Sequence, residues 1–113
     1  MKFAALAALV AALLAPMATA ATPTLTATVG PGFTITLKKG VTKVTKLTKG
    51  TYVIKVSDKS NIHNFRLKGP GLNKTTSLGG TGASTWTVTL KPGTYTYVCD
   101  PHATIMKGTF KVT

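Results

Sequence analysis

The sequence predicts an all-β protein, a β-sandwich of seven to eight short strands. Two observations carry this expectation. Beyond residue 20 the chain is a succession of short alternating runs rich in Thr, Val, Ile and aromatic residues, with almost no helical periodicity. Gly- and Pro-bearing turns separate the runs, and that many strands in so short a chain fit two packed sheets.

The first twenty residues are a different kind of segment. Lys2 precedes an apolar run from Phe3 to Leu14, and after Pro16 comes the small-residue pattern Ala18-Thr19-Ala20. A charged start, an apolar middle and an A-x-A close are the parts of a secretory signal peptide, here residues 1–20. The run is short, and close to a cleavage-like site, for a spanning helix, which leaves an uncleaved anchor as the alternative to a removed leader. No cysteine follows it that could carry a lipid. The expectation is an exported protein, periplasmic or extracellular, with one mature domain over residues 21–113.

Strands are expected at Thr24–Val29, Phe33–Lys38, Val41–Leu47, Thr51–Ser57, Ile62–Lys68, Ser84–Leu90, Thr94–Cys99 and Gly108–Val112. Turn chemistry lies between them: GPG at 30–32, KKG at 38–40, TKG at 48–50, KGPGLN at 68–73, GGTG at 79–82 and KPG at 91–93. Alternation then assigns faces. Tyr52, Ile54 and Val56 share one face; Trp86, Val88 and Leu90 share one on their own strand. His63, Phe65 and Leu67 form an apolar, core-directed face opposite Asn64, Arg66 and Lys68. Tyr95, Tyr97 and Cys99 line up, which puts a thiol at the inner end of a strand. Asn73-Lys74-Thr75 is an N-glycosylation sequon, of consequence only in a source that glycosylates its exported proteins.

Charge limits the partners. Without Lys2 the mature chain keeps thirteen Lys and Arg against Asp58 and Asp100, a net charge of about +11. Such a field attracts anionic partners in a salt-dependent way. Nucleic acid is disfavoured, because the lysines are dispersed, Arg66 is the single arginine, and no nucleic-acid-binding motif is present. A solvated basic surface, an acidic protein partner, or peripheral contact with an anionic membrane or cell wall account for the charge.

Cys99 is the only cysteine, so no disulfide can form within the chain. In an oxidising compartment its thiol must be buried, joined to another chain, or bound to a metal. After the leader the chain holds two histidines and one methionine, and they are His63, His102 and Met106. Singly, each has a plain reading: Cys99 and Met106 as core filler, His63 as a hydrogen-bonded core residue, His102 as a surface histidine. Together, two imidazoles, a thiolate and a thioether make the His2Cys-plus-weak-Met set of a type 1 copper site. The soft sulfurs favour Cu(I) and the imidazoles accommodate Cu(II), so a compromise geometry serves both states with little rearrangement. One copper ion is the expected cofactor.

The stretch YTYVCDPHATIMKGTFKV resembles the C-terminal ligand loop of small cupredoxins such as plastocyanin, amicyanin and pseudoazurin, and HNF at His63–Phe65 resembles their upstream ligand segment. The resemblance implies a Greek-key cupredoxin sandwich in which His63, Cys99 and His102 bind copper equatorially and Met106 axially. It further implies that Asn64 ties the two ligand-bearing segments together and that Pro101 stiffens the loop. One spacing departs from those relatives. The loop here is C-x2-H-x3-M, between the C-x2-H-x4-M of plastocyanin-like proteins and the C-x2-H-x2-M of amicyanin. The acidic docking residues of plastocyanins are also missing.

The function expected from this is an exported, monomeric electron carrier that docks an acidic redox protein through the edge of His102, with Pro101, Ala103 and Ile105 as an apolar rim. An enzymatic role is not expected, since a filled ligand set leaves no open position for substrate. A binuclear copper centre of the oxidase kind would need a second cysteine. The competing readings are a copper-handling protein with the same ligands but no redox partner, and a metal-free sandwich used for adhesion.

Overall fold

The alternating runs pair into two sheets of five strands each. The computed structural model describes residues 21–113; the signal-peptide reading of residues 1–20 lies outside them. In chain order the strands are β1 (Thr24–Val29), β2 (Ile35–Lys39), β3 (Thr42–Lys43), β4 (Lys46–Leu47), β5 (Gly50–Asp58), β6 (Arg66–Gly69), β7 (Leu72–Thr75), β8 (Gly82–Leu90), β9 (Gly93–Val98) and β10 (Lys107–Val112). A single turn of 3-10 helix, Asp100–His102, sits between β9 and β10. The first sheet has the order β3-β2-β1-β5-β8 and the second β4-β10-β9-β6-β7. β1 runs parallel to β5 and β4 parallel to β10, while the other pairings are antiparallel.

The core lies between the sheets, filled by the inward positions of each strand. Leu25, Ala27 and Val29 of β1 and Ile54 of β5 face Leu67 of β6, Tyr95 and Tyr97 of β9 and Phe110 of β10. Burying a large apolar side chain fully is worth about 1.5–3 kcal/mol relative to exposure, so the two-residue period is what commits these runs to the sandwich. Tyr95 and Phe110 stack at 5.3 Å between ring centroids, and Tyr97 stacks with Phe65 at 5.9 Å. On β10, Gly108 lies opposite Tyr97 in register, and the Tyr97 ring occupies the space a side chain there would fill.

Ten strands replace the seven to eight expected, for two reasons. The run Val41–Leu47 is not one strand. Val44 and Leu47 are both buried but stand three residues apart, a spacing no single strand can turn to one face. The chain instead leaves the first sheet after β3 and joins the second at β4, with Thr45 accepting a hydrogen bond from the Lys111 N–H. The second addition is β7, which lies partly in a segment read as a turn. Pro70 and Gly71 (φ +67°) form a two-residue connection, with Gly69 and Leu72 paired across it. Leu72 is only half-buried and Asn73, Lys74 and Thr75 are exposed, so this polar edge strand carries no core-facing alternation to read.

The expected strand Ile62–Lys68 also starts later, at Arg66. Side chains take over the hydrogen bonds there. The Phe65 N–H donates to Thr76 Oγ1, and the Asn64 amide oxygen accepts from the backbone of Asp100. What positions the site is the register of β6 on β9. These strands are antiparallel with Arg66 opposite Val98, so the residues before β6 run alongside those after β9. That brings His63 to the loop that starts at Cys99.

Candidate metal centre

The loop from Cys99 to Met106 is closed by its own backbone. The Cys99 N–H donates to the Met106 carbonyl at 3.0 Å, while the Cys99 carbonyl accepts from His102 at 3.1 Å. The Met106 N–H donates back to the His102 carbonyl at 2.8 Å. Pro101 fits the first turn of the 3-10 segment because its fixed φ suits a helical start and its missing N–H has no partner there to lose. Cys99 and Met106 are wholly buried, while His102 is half-buried and Pro101, Ala103 and Ile105 are exposed.

His63, Cys99 and His102 meet at one point. His63 Nδ1 is 3.1 Å from His102 Nδ1, and Cys99 Sγ is 3.6 Å from the first and 3.5 Å from the second. The centre of a triangle with those sides lies about 2.0 Å from each corner, comparable with the ~2.0–2.3 Å of nitrogen and sulfur bonds to a first-row metal ion. Among the described residues no carboxylate joins the group. A donor set of two imidazoles and one thiolate suits copper, and the three side chains are positioned to bind one copper ion. Met106 lies in the same loop with its side chain buried beneath it.

The tautomer of His63 is fixed by its surroundings. Its Nε2 is 2.8 Å from the Gly32 carbonyl, which can only accept, so the proton is on Nε2 and a neutral ring presents Nδ1 as a bare lone pair. The ring of Phe33, one residue on, packs edge-on against both imidazoles, with centroids 5.5 Å from His63 and 4.9 Å from His102. Phe33 is nevertheless 57% exposed, so it forms part of the outer surface over the site.

Asn64 is buried, unlike Arg66 and Lys68 with which it shares a strand face by alternation. Its amide nitrogen donates to Asp100 Oδ2 at 2.8 Å and to Thr75 Oγ1 at 2.9 Å, and its oxygen accepts from the Asp100 N–H at 2.7 Å. Arg66 then grips the same Asp100 carboxylate through Nε and Nη2, all at 2.9–3.0 Å, and reaches Asn73 Oδ1 through Nη1. The guanidinium, and then the Asn64 amide, hold the Asp100 carboxyl below the usual carboxylate range, and Asp100 in turn raises Arg66. Burial pushes the Tyr97 hydroxyl up.

Three contributors were not singled out from the sequence: the Gly32 carbonyl, Phe33 and Asp100. The first two sit in what reads as a turn and the start of a strand. A bulky aromatic directly after Gly-Pro-Gly, where an exposed strand end usually carries a polar residue, was the available signal. Asp100 is one of only two acids in a strongly basic chain and stands beside Cys99, which marks it as a residue with a partner.

A family model described as the cupredoxin-like domain matches residues 3–112. No curated protein matches the sequence. Among solved structures, reduced rusticyanin is 23% identical over 84% of this chain and 81% of its own, with a TM-score of 0.63. Rusticyanin from Thiobacillus ferrooxidans is 24% identical over 84% of this chain and 79% of its own, with a TM-score of 0.58. A chain of a heme-copper terminal oxidase dimer is 23% identical over 80% of this chain but 63% of its own, with a TM-score of 0.55. At these identities the structural likeness is one of fold, and it agrees with the two-sheet topology. With nearly its whole length matched by that model, the chain belongs to the cupredoxin-like domain family.

Proposed function

We propose that the protein is an exported one-electron carrier with a single type 1 copper site. The observation that carries this reading is the triangle of His63 Nδ1, Cys99 Sγ and His102 Nδ1, with sides of 3.1–3.6 Å. Met106 would complete the ligand set in this reading, a weak thioether donor delivered by the same loop. When bound, copper supplies one-electron chemistry between Cu(II) and Cu(I).

The chain's own residues do the rest. The Gly32 carbonyl and the Asn64–Asp100 bonds hold the donors in one arrangement, which keeps rearrangement between oxidation states small. His102 is half-buried and offers its outer ring edge as the exit for the electron. Among the described residues, three of the five exposed large apolar side chains stand around the site, Ile62 and Ile105 on the ligand-bearing segments and Phe33 against both imidazoles. Such a cluster favours a docking rim over chance exposure. The dispersed lysines steer an acidic redox partner. The presence of this fold in a heme-copper terminal oxidase dimer supports a redox partner in general. No enzymatic step is proposed, because four protein ligands leave no open coordination position for substrate.

The test is to purify residues 21–113, add Cu(II) and record the visible spectrum. A strong blue thiolate-to-copper band that vanishes in Cys99→Ser is expected. A colourless protein sinks the type 1 reading. Repeated chemical reduction and reoxidation then separates a carrier, which keeps its metal, from a copper-handling protein, which loses it. Secretion of the full-length chain with loss of residues 1–20, read by mass spectrometry, tests export.

A further inference from the structure

Next to the segment that carries His63 lies a second polar centre, reached through Thr76, that the copper site does not use. Asp58 closes β5 and is only 6% exposed. Its Oδ1 accepts from the Ser60 N–H at 3.0 Å, but its Oδ2 is buried and has no hydrogen-bond partner. Among the described residues the one ion pair is Arg66–Asp100, so none of the lysines neutralises Asp58. A buried carboxylate oxygen with neither a donor nor a cation is costly, and native structures rarely keep one without a reason.

Asp58 borders a cavity of about 70 Å³ whose other walls include Thr76, Ser77, Thr81 and Ser84. The lining residues carry oxygen donors alone, the Asp58 carboxylate and the hydroxyls of Thr76, Ser77, Thr81 and Ser84, with no imidazole or sulfur. Ser77, Thr81 and Ser84 leave it open to solvent. That donor set is matched to a hard cation and mismatched to the copper that His63, Cys99 and His102 suit. The volume suits a single ion with about one water, each water taking roughly 30 Å³. The cavity also adjoins the metal-site framework, since Thr76 Oγ1 accepts from the Phe65 N–H.

We propose that the Asp58 cavity is a binding site for one oxygen-preferring cation, separate from the copper site, with Ca²⁺ as its probe. A single carboxylate in a strongly basic chain makes the site weak, on the order of the ~10⁻⁴–10⁻³ M of low-charge calcium sites. The ion supplies the missing partner of Oδ2 and joins the end of β5 to the Ser77–Ser84 segment.

The test is a Ca²⁺ titration of the mature, copper-loaded protein, followed by calorimetry and thermal unfolding. Choline chloride at matched ionic strength controls for general screening of so large a charge. Ca²⁺ at ten times its Kd multiplies the folded-to-unfolded ratio about elevenfold, a rise in melting temperature on the order of 5–10 °C. Asp58→Asn keeps the acceptor for the Ser60 N–H and should lose this response while retaining the copper spectrum. A wild-type response no larger than that to choline overturns the proposal, and so does an undiminished response in Asp58→Asn. If that variant does not fold, amide chemical shifts of the wild type decide. Ca²⁺-induced changes confined to Asp58 and the Thr76–Ser84 segment support the site, and their absence there overturns it.

Discussion

Asn64 and Asp100 hold each other through two hydrogen bonds, amide to carboxylate at 2.8 Å and backbone N–H to amide oxygen at 2.7 Å. One residue follows His63 and the other follows Cys99, so these bonds span the two segments that must meet at the metal. Asn64 is buried, so truncating it leaves the Asp100 N–H without its acceptor. Asn64→Ala should therefore cost about 1–3 kcal/mol of stability in the copper-free protein, read from denaturant unfolding. The copper-loaded variant should also show a displaced visible band. An unchanged unfolding midpoint would show that the two segments are held by packing alone.

Arg66 extends the same network to the surface and makes it sensitive to acid. Its hydrogen bonds to Asp100 lower that carboxyl in the folded state relative to its unfolded value of about 3.9. A group depressed on folding contributes stability that is fully present above the unfolded value. That contribution is lost as the pH falls through the folded one. Acid unfolding of the copper-free protein should thus contain a component below about pH 4 that disappears in Asp100→Asn. Both side chains are about a third exposed, so solvent screening keeps the effect small. Arg66→Gln should flatten the same limb of the stability curve, measured by chemical denaturation across pH.

The parts of the molecule legible in the sequence are those with a strict period. Inward alternation placed Tyr95, Tyr97 and Cys99 on one line, and both sheets are built on runs of that kind. His63 was readable as core-facing by the same rule, and its meeting with Cys99 follows from the pairing of Arg66 with Val98. Parts without period were not readable. Val44, just past the end of β3, and Leu47 of β4 turn inward without a shared strand period, and Leu72–Thr75 pairs as a polar edge with little to bury. The Gly32 carbonyl and the Phe33 ring reach the imidazoles across the sandwich end, a contact set by loop shape that local sequence does not encode.

Gly108 illustrates a constraint that only the packing reveals. Its φ is unremarkable for any residue, yet a Cβ there would run into the ring and hydroxyl of Tyr97 on the neighbouring strand. Tyr97 cannot easily withdraw, because it is 1% exposed and stacked on Phe65. Gly108→Ala should destabilise by about 1–3 kcal/mol through overpacking. Gly79→Ala, where nothing lies within 4 Å of the new atom, should stay within ~0.5 kcal/mol of the parent. Equal midpoints for the two variants in urea would mean that Tyr97 shifts freely.

Met106 gives the test of the axial position. Its backbone closes the loop on both Cys99 and His102, and its side chain is wholly buried, so leucine, of similar volume, preserves the packing. The triangle of His63, Cys99 and His102 does not involve Met106, and the blue band should survive in Met106→Leu. Leucine offers no donor in place of the soft sulfur, and losing any donor costs the more highly charged Cu(II) more than Cu(I). With Met106 as a ligand, the substitution should therefore raise the reduction potential. The rise amounts to about 59 mV for each tenfold loss of affinity for Cu(II) relative to Cu(I). Voltammetry on parent and variant reads this directly. A potential that does not move would take Met106 out of the ligand set and leave it a core residue beneath a three-coordinate site.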